Sequence, residues 1–256
     1  MKITSWNINS VRARVNNIDE YLKKSKPDIL LLQEIKTEEI NFPFELFKKN
    51  GYHCYVNDQK AYNGVAIISK IELSNIKLNQ LSDKNKQSRI ISGEIKNKKI
   101  NIINVYVPNG NPVNTDKFTY KITWLKLFFK ELKKIKTKYK NIIIAGDFNI
   151  IPKELDVYND KKYLNDALFL PEIRKFYDEI ISLGFVDAFR KINPDKTEYT
   201  FWDYMFNAWS TNRGMRIDHF FVSSNLIDQI KSIKINKEPR ARVKPSDHTP
   251  IELTIY

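Results

Sequence analysis

Asn141-Ile-Ile-Ile-Ala-Gly-Asp-Phe-Asn149 begins as an apolar run and ends in a polar cluster. The residues from Ile142 to Ala145 read as a short buried strand bounded by Gly146. Such a strand releases its last residues at the rim of a sheet, where Asp147 and Asn149, one pleat period apart, face the same side. That sets a carboxylate able to accept a proton beside a carboxamide able to donate hydrogen bonds. Neither group is easily buried without a partner. A Gly-Asp-x-Asn string alone is also an ordinary turn. Four other strand-like segments end in polar residues as well, and that repetition decides the reading.

Toward the N-terminus, residues 3–8 form a first strand containing Asn7. Val11, Val15, Ile18 and Leu22 then recur at helical spacing, with Ser10 placed to cap the helix. Pro27-Asp28 stops it, and Ile29-Leu-Leu-Leu32 is a fully buried strand closing at Gln33-Glu34. Residues 52–56, 64–69, 90–95 and 100–107 are further strands, the last followed by Pro108 and Asn109. Residues 115–138 are the clearest helix: Phe118, Ile122, Leu125, Phe129, Leu132 and Ile135 form one stripe, with Lys on the other face. Beyond Asn149 come a polar loop, a helix near 172–183, the aromatic segment Tyr199-Thr-Phe-Trp-Asp-Tyr204, and strands near 217–222, 230–235 and 251–255. No repeat or linker interrupts the pattern. Many strands with few, long helices predict an α/β chain folded as a single domain over residues 1–256, two packed sheets flanked by helices.

The 256 residues are 42% hydrophobic, with 15 Phe and 13 Tyr, so the chain is expected to be globular. No apolar run reaches the ~18 residues that a membrane span needs. Met1-Lys-Ile-Thr-Ser-Trp6 has none of the apolar core of a signal peptide. One cysteine, Cys54, forms no internal disulfide, and the expected location is the cytoplasm. The formal charge of +13 points to a polyanion such as nucleic acid. A bias toward Lys, Asn and Ile is an equally good source of that charge.

The polar residues at strand ends are Asn7, Glu34, Tyr106, Asn109, Asp147, Asn149, Asp218, Asp247 and His248. Together they suit metal-assisted attack of water on a phosphodiester. A carboxylate such as Glu34 favours a hard cation, Mg²⁺ first, which keeps several waters and binds through one or two carboxylates. Zinc is disfavoured, since one Cys and three scattered His supply no closed ligand set. Asp147 beside Asn149 can orient and deprotonate a water. His248, with Asp247 and Asp218, suggests an imidazole aimed at a phosphate oxygen and held by a carboxylate. Singly, each has a plainer role as a turn former, a rim aromatic or a surface hydrogen bond; only the set points to phosphodiester hydrolysis.

The segments Ile3-Thr-Ser-Trp-Asn-Ile-Asn9, Leu31-Leu-Gln-Glu34, Asn104-Val-Tyr-Val-Pro-Asn-Gly110, Gly146-Asp-Phe-Asn149, Asn212-Arg-Gly-Met-Arg-Ile-Asp218 and Ser246-Asp-His-Thr-Pro250 run in order through the chain. In sequence and spacing they resemble the exonuclease III family of apurinic/apyrimidinic (AP) endonucleases. The stretch from Asn109 to Phe118 resembles its bacterial branch. The resemblance implies a DNase I-like four-layer α-β-β-α sandwich with the site at one edge. It implies Glu34 as the main ligand of Mg²⁺ (Mn²⁺ as the alternative), Asn7 organising the metal site and Asp247 in its neighbourhood. Asp147 becomes the water-activating base, Asn149 and Asn109 phosphate contacts, and Tyr106 and His248 groups on the scissile phosphate, with Asp218 orienting His248. Phe201, Met215 and Ile217 would line a pocket for a bare deoxyribose, in the region of Trp202. Met205 would wedge into DNA and Arg213 contact phosphate. The implied reaction is cleavage 5′ of abasic sites in double-stranded DNA by a monomer, leaving a 3′-hydroxyl and a 5′-deoxyribose phosphate, with 3′-end trimming besides.

Two rivals share the scaffold. An inositol-phosphate or sphingomyelin phosphoesterase would reuse the same machinery, but the Trp202 region and Arg216-Ile-Asp218 match the DNA-repair branch. A silent DNA-binding relative is the other; the intact set Glu34, Asp147, Asn149, Asp218 and His248 stands against it.

Overall fold

A computed structural model describes all residues, 1–256. The chain runs through β1 (Lys2–Asn7), α1 (Val15–Ser25), β2 (Ile29–Gln33), α2 (Phe44–Lys48), β3 (His53–Asn57), β4 (Val65–Ser69) and β5 (Ser74–Leu78). It continues through β6 (Ile90–Ile95), β7 (Ile100–Tyr106), α3 (Asp116–Lys138), β8 (Asn141–Asp147), α4 (Pro171–Ser182) and β9 (Phe185–Asp187). Last come α5 (Ala188–Ile192), β10 (Asp218–Ser223), β11 (Ile230–Ile235) and β12 (Ile251–Ile255). One six-stranded sheet has the order β11-β12-β1-β2-β4-β3, the other β5-β6-β7-β8-β10-β9. Each is built around one parallel pair joined by a helix, β1–α1–β2 and β7–α3–β8.

The apolar runs explain the layering. Pleating sends alternate residues of a strand to opposite faces. Ile143 and Ala145 of β8 enter a core between the sheets with Ile3, Leu31 and Phe220. Ile142 and Ile144 point the other way, against Trp124, Phe128 and Leu132 of α3 and Tyr177 of α4. In β2, Leu31 faces inward while Leu30 and Leu32 pack on Ile18, Tyr21 and Phe47 of α1 and α2. Strands apolar on both faces therefore sit inside an α-β-β-α sandwich, the arrangement expected. Each buried aliphatic or Phe side chain contributes about 1.5–3 kcal/mol.

A polar tie crosses the inter-sheet core one residue short of the rim. Gln33 Nε2 donates to Asn104 Oδ1 at 2.7 Å, and Asn104 Nδ2 donates to the carbonyls of Leu32 and Ala66, each at 2.9 Å. Strand β2 of one sheet is thereby locked to β7 of the other. Gly146 is required by space: a Cβ there would meet the Val105 carbonyl oxygen at 1.9 Å.

Three local readings change. Helix α1 starts at Val15, and no side chain caps it; Ser10, at φ +86°, precedes the turn at residues 11–14 that leads into the helix. The buried face of α3 is centred on Trp124 and Phe128, Phe129 is only half-buried, and Lys121 lies inside it. Strand β8 ends at Asp147, and Asn149 has φ +48°, so the two meet through a turn and not through the pleat.

Candidate active site

Strand register brings the polar ends to one rim. In the first sheet Asn7 stands opposite Gln33, and Glu34 follows at φ +51°. In the second, Tyr106 of β7 and Asp218 of β10 both stand opposite Asp147 of β8. Strand β12 runs antiparallel to β1, with Ser5 opposite Ile251, which returns His248 to the same edge. A parallel pair ending and an antiparallel strand starting at one level suffice to gather residues spread over most of the chain.

Asn7 is the hub. Its Nδ2 donates to Glu34 Oε1 at 2.9 Å and to Asp147 Oδ2 at 3.0 Å. Asn149 closes on Asp147 from the other side, its backbone N–H donating to Oδ1 at 2.9 Å and its Nδ2 to Oδ2 at 3.2 Å. Asn149 Oδ1 accepts in turn from Asn109 Nδ2 at 3.0 Å. His248 Nδ1 pairs with Asp218 Oδ2 at 2.8 Å, leaving Nε2 at 3.7 Å from Asp147 Oδ2. That gap is too long for a hydrogen bond. Asp247 accepts from Asn9 Nδ2 at 3.1 Å. Glu34, Asn109, Asp147, Asn149, Asp247 and His248 line one cleft of about 400 Å³ with Tyr106, while Asn9 and the buried Asn7 and Asp218 stand behind it.

Burial and mutual charge tune the groups. Burial is the largest influence on Asp147 and lifts its carboxyl to about 7, Asp218 and Glu34 adding and His248 opposing. Burial works against a charged imidazole at His248, but Asp218 and Asp147 outweigh it and raise the ring to about 10. Partial burial pushes Glu34 upward, yet the Lys36 ammonium and the Asn7 amide hold its carboxyl below the usual range. Tyr106 is pushed well above the ordinary phenol range by burial and by Glu34. At neutral pH the rim therefore holds a charged imidazole beside a carboxyl poised to exchange a proton.

The donor set fits a hard divalent cation. Glu34, Asn7 and Asp247 offer only oxygen donors, and Glu34 remains ionised. No three His, Cys, Asp or Glu side chains form a group that could hold a metal, so a bound ion would rely on one or two carboxylates and its own waters. Lys36 Nζ, 2.6 Å from Glu34 Oε2, balances that carboxylate.

The expected pocket residues divide. Phe201, Met215 and Ile217 line the cleft, and the Phe201 ring packs against the His248 ring at 4.9 Å. Met205 and Arg213 line an adjoining cavity of about 440 Å³ that shares Tyr163, Asp203 and Met215 with the first. Met205 is 59% exposed. Trp202 lies apart: it is fully buried, packs on Tyr199 and Trp209, and donates from Nε1 to Asn212. Its backbone serves the site through a 2.9 Å bond to the Asp247 carbonyl.

Sequence reasoning missed the supports. Thr200 Oγ1 accepts from the N–H groups of Ile217 and Asp218, both at 3.1 Å. Ser246 Oγ donates to the Asn7 carbonyl at 2.7 Å and accepts from His248 N. Lys36 follows Glu34 by two residues, as Asn9 follows Asn7, to whose Oδ1 its backbone N–H donates at 3.1 Å, and that spacing could have flagged both. Nothing local flags Thr200.

The chain belongs to the endonuclease/exonuclease/phosphatase family, whose model matches residues 4–248. Within it the chain stands with the exonuclease III and AP endonuclease members. It is 36% identical to exodeoxyribonuclease III of Haemophilus influenzae over 262 residues, covering 98% of both chains. The fold matches an AP endonuclease from Archaeoglobus fulgidus with a TM-score of 0.94 and 35% identity, over 100% of this chain and 99% of that one. It matches the Neisseria 3′ phosphatase NExo, bound to a product DNA hairpin, with a TM-score of 0.96 and 32% identity, over 100% and 99%.

Proposed function

We propose that residues 1–256 act as one unit, a monomeric DNA-repair phosphodiesterase of the cytoplasm that hydrolyses the backbone immediately 5′ of abasic sites in duplex DNA. The products are a 3′-hydroxyl and a 5′-deoxyribose phosphate, and trimming of 3′ ends is a second activity of the same centre. The observation that carries this reading is the single Asn7 amide held between Glu34 and Asp147, with His248 3.7 Å from the latter.

In this reading Asp147, aimed by Asn7 and Asn149, takes the proton of the attacking water. Its elevated pKa, near 7, suits that exchange at neutral pH. His248, kept charged by Asp218, faces a phosphate oxygen and stabilises the negative charge that develops there. Tyr106 and the Asn109 and Asn149 amides complete the polar wall. Glu34, with Asn7 and Asp247, would hold the Mg²⁺, for which Mn²⁺ is the substitute; when bound, the ion neutralises phosphate and leaving-group charge. Phe201, Met215 and Ile217 form the apolar side, which a flipped-out sugar without its base would face.

The neighbouring cavities support a duplex over a small phosphate ester. One carries Arg213 and Lys162; another, sharing Tyr106, Asn109 and Asn111 with the cleft, carries Arg89 and Lys117. The centre thus lies in a groove with cations on both wings, as a phosphate backbone requires. The test is a duplex with one tetrahydrofuran abasic analogue, incubated with Mg²⁺ or with EDTA. Magnesium-dependent incision 5′ of the analogue is expected. Binding without incision, or hydrolysis of inositol phosphates instead, contradicts the reading.

A further inference from the structure

Helix α3 carries a cation where its pattern calls for an apolar residue. Lys121 is fully buried among Trp124, Leu125 and Phe128 of the same face. Its Nζ spends all three donors on backbone carbonyls: Asn109 at 3.0 Å, Asn149 at 2.6 Å and Ala167 at 2.8 Å. These carbonyls belong to two connections: the loop after β7, and the start and end of the long segment between β8 and α4. The stem of Lys121 packs on Gly110, where a Cβ would come within 2.5 Å of the lysine Cδ and where φ is +85°. Burial depresses this amine to about 7, with Asp147 and Asp166 opposing. Burying a cation with only carbonyl partners is costly, and an apolar side chain would fill the space without that cost. The groups it holds are those of the polar wall. Asn109 donates to Asn149, and Asn149 donates to Asp147. Asp166 and Leu168 flank Ala167 and line the cleft.

We propose that Lys121 is a positioning residue for phosphodiester hydrolysis: its amine clamps the loop after β7 to both ends of the β8–α4 connection, so that the Asn109 and Asn149 amides hold their spacing relative to Asp147. This rests on the roles given above to Asn109 and Asn149. The residue touches no substrate; it acts through the backbone of those that do.

The test is single-turnover incision of the tetrahydrofuran duplex with saturating Mg²⁺, using Lys121→Met, which keeps the stem and removes the donors. The maximal rate should fall about 10²-fold, the cost of a small misplacement of reacting groups. Affinity for the duplex should change less than about threefold, since the clamp matters chiefly when the phosphate is being attacked. In an Asn149→Ala background the same substitution should cost almost nothing further, because the two act as one device. A merely structural lysine would give multiplied losses instead. Lys121→Gln, with two donors on a shorter stem, should fall between wild type and Lys121→Met, and it carries the test if Lys121→Met does not fold. A folded Lys121 variant with wild-type rate, or losses that multiply with Asn149→Ala, overturns the proposal. If Asn149→Ala alone leaves the rate unchanged, the site reading fails and the clamp with it.

Discussion

Asp218 shows how one buried carboxylate sets the state of its neighbour. It pairs with His248 Nδ1 at 2.8 Å and holds the imidazole charged up to about 10. The charged form exists below that value, so the rate it supports should persist through neutral pH and fall as pH rises through it. Asp218→Asn removes the main charge that favours imidazolium, and the ring should titrate closer to its ordinary value of ~6.5. The alkaline limb of the incision rate should therefore move down by at least about one pH unit. An alkaline limb that stays in place would show that the charge of His248 is not used. The residues gathered at the rim were legible because they flank apolar runs: Asn7, Glu34, Tyr106 and Asp147 at or just past the ends of strands, Asp218 and His248 at or before the starts of β10 and β12. Their geometry was less so: Asp147 and Asn149 do meet, but across a turn with Asn149 at φ +48°, since the strand stops at Asp147. Trp202, expected beside the deoxyribose pocket as a DNA contact, lies behind it. An aromatic in a polar segment reads as a surface contact, while here it fills the core beneath Asp247.

At the scale of elements, the start of β10 depends on a buried ion network behind the cleft. Arg216 donates to Asp156 Oδ1 at 2.7 Å and to Asp187 Oδ2 at 2.8 Å, and contacts His219 Nδ1 at 2.9 Å. It joins the loop after β8, strand β9 and strand β10, two residues before Asp218. Arg216→Met leaves two buried carboxylates short of a partner and should cost about 3–5 kcal/mol in urea unfolding. A loss below about 1 kcal/mol would mean that Arg190, 2.5 Å from Asp156, suffices alone. Long or fully apolar elements such as α3, β2 and β8 announced themselves. Strand β5, largely exposed at a sheet edge, and the three-residue β9 did not, because neither buries enough to impose a pattern. Lys121 was hidden by the same logic: helical periodicity places lysines outside, and only the three loop carbonyls explain one inside.

For the whole molecule, two sheets that share one core end at one rim, and this lets residues from position 7 to position 248 meet. Sheet order and the pairing of β1 with β12 were not visible in the sequence, since register depends on partners that are remote along the chain. The order of motifs carried that information only through the family resemblance. No helix is long and apolar enough to cross a membrane, and the cations flanking the cleft give part of the +13 charge a defined place. The central claim is that Asp147 and His248, separated by a hundred residues, serve one reacting phosphate. A double-mutant cycle of Asp147→Asn and His248→Asn on Mg²⁺-dependent incision measures this directly. Each single change should lower the rate by about 10²-fold or more, and the double variant should be little slower than the worse single one. Losses that multiply would place the two groups at independent sites and contradict the account.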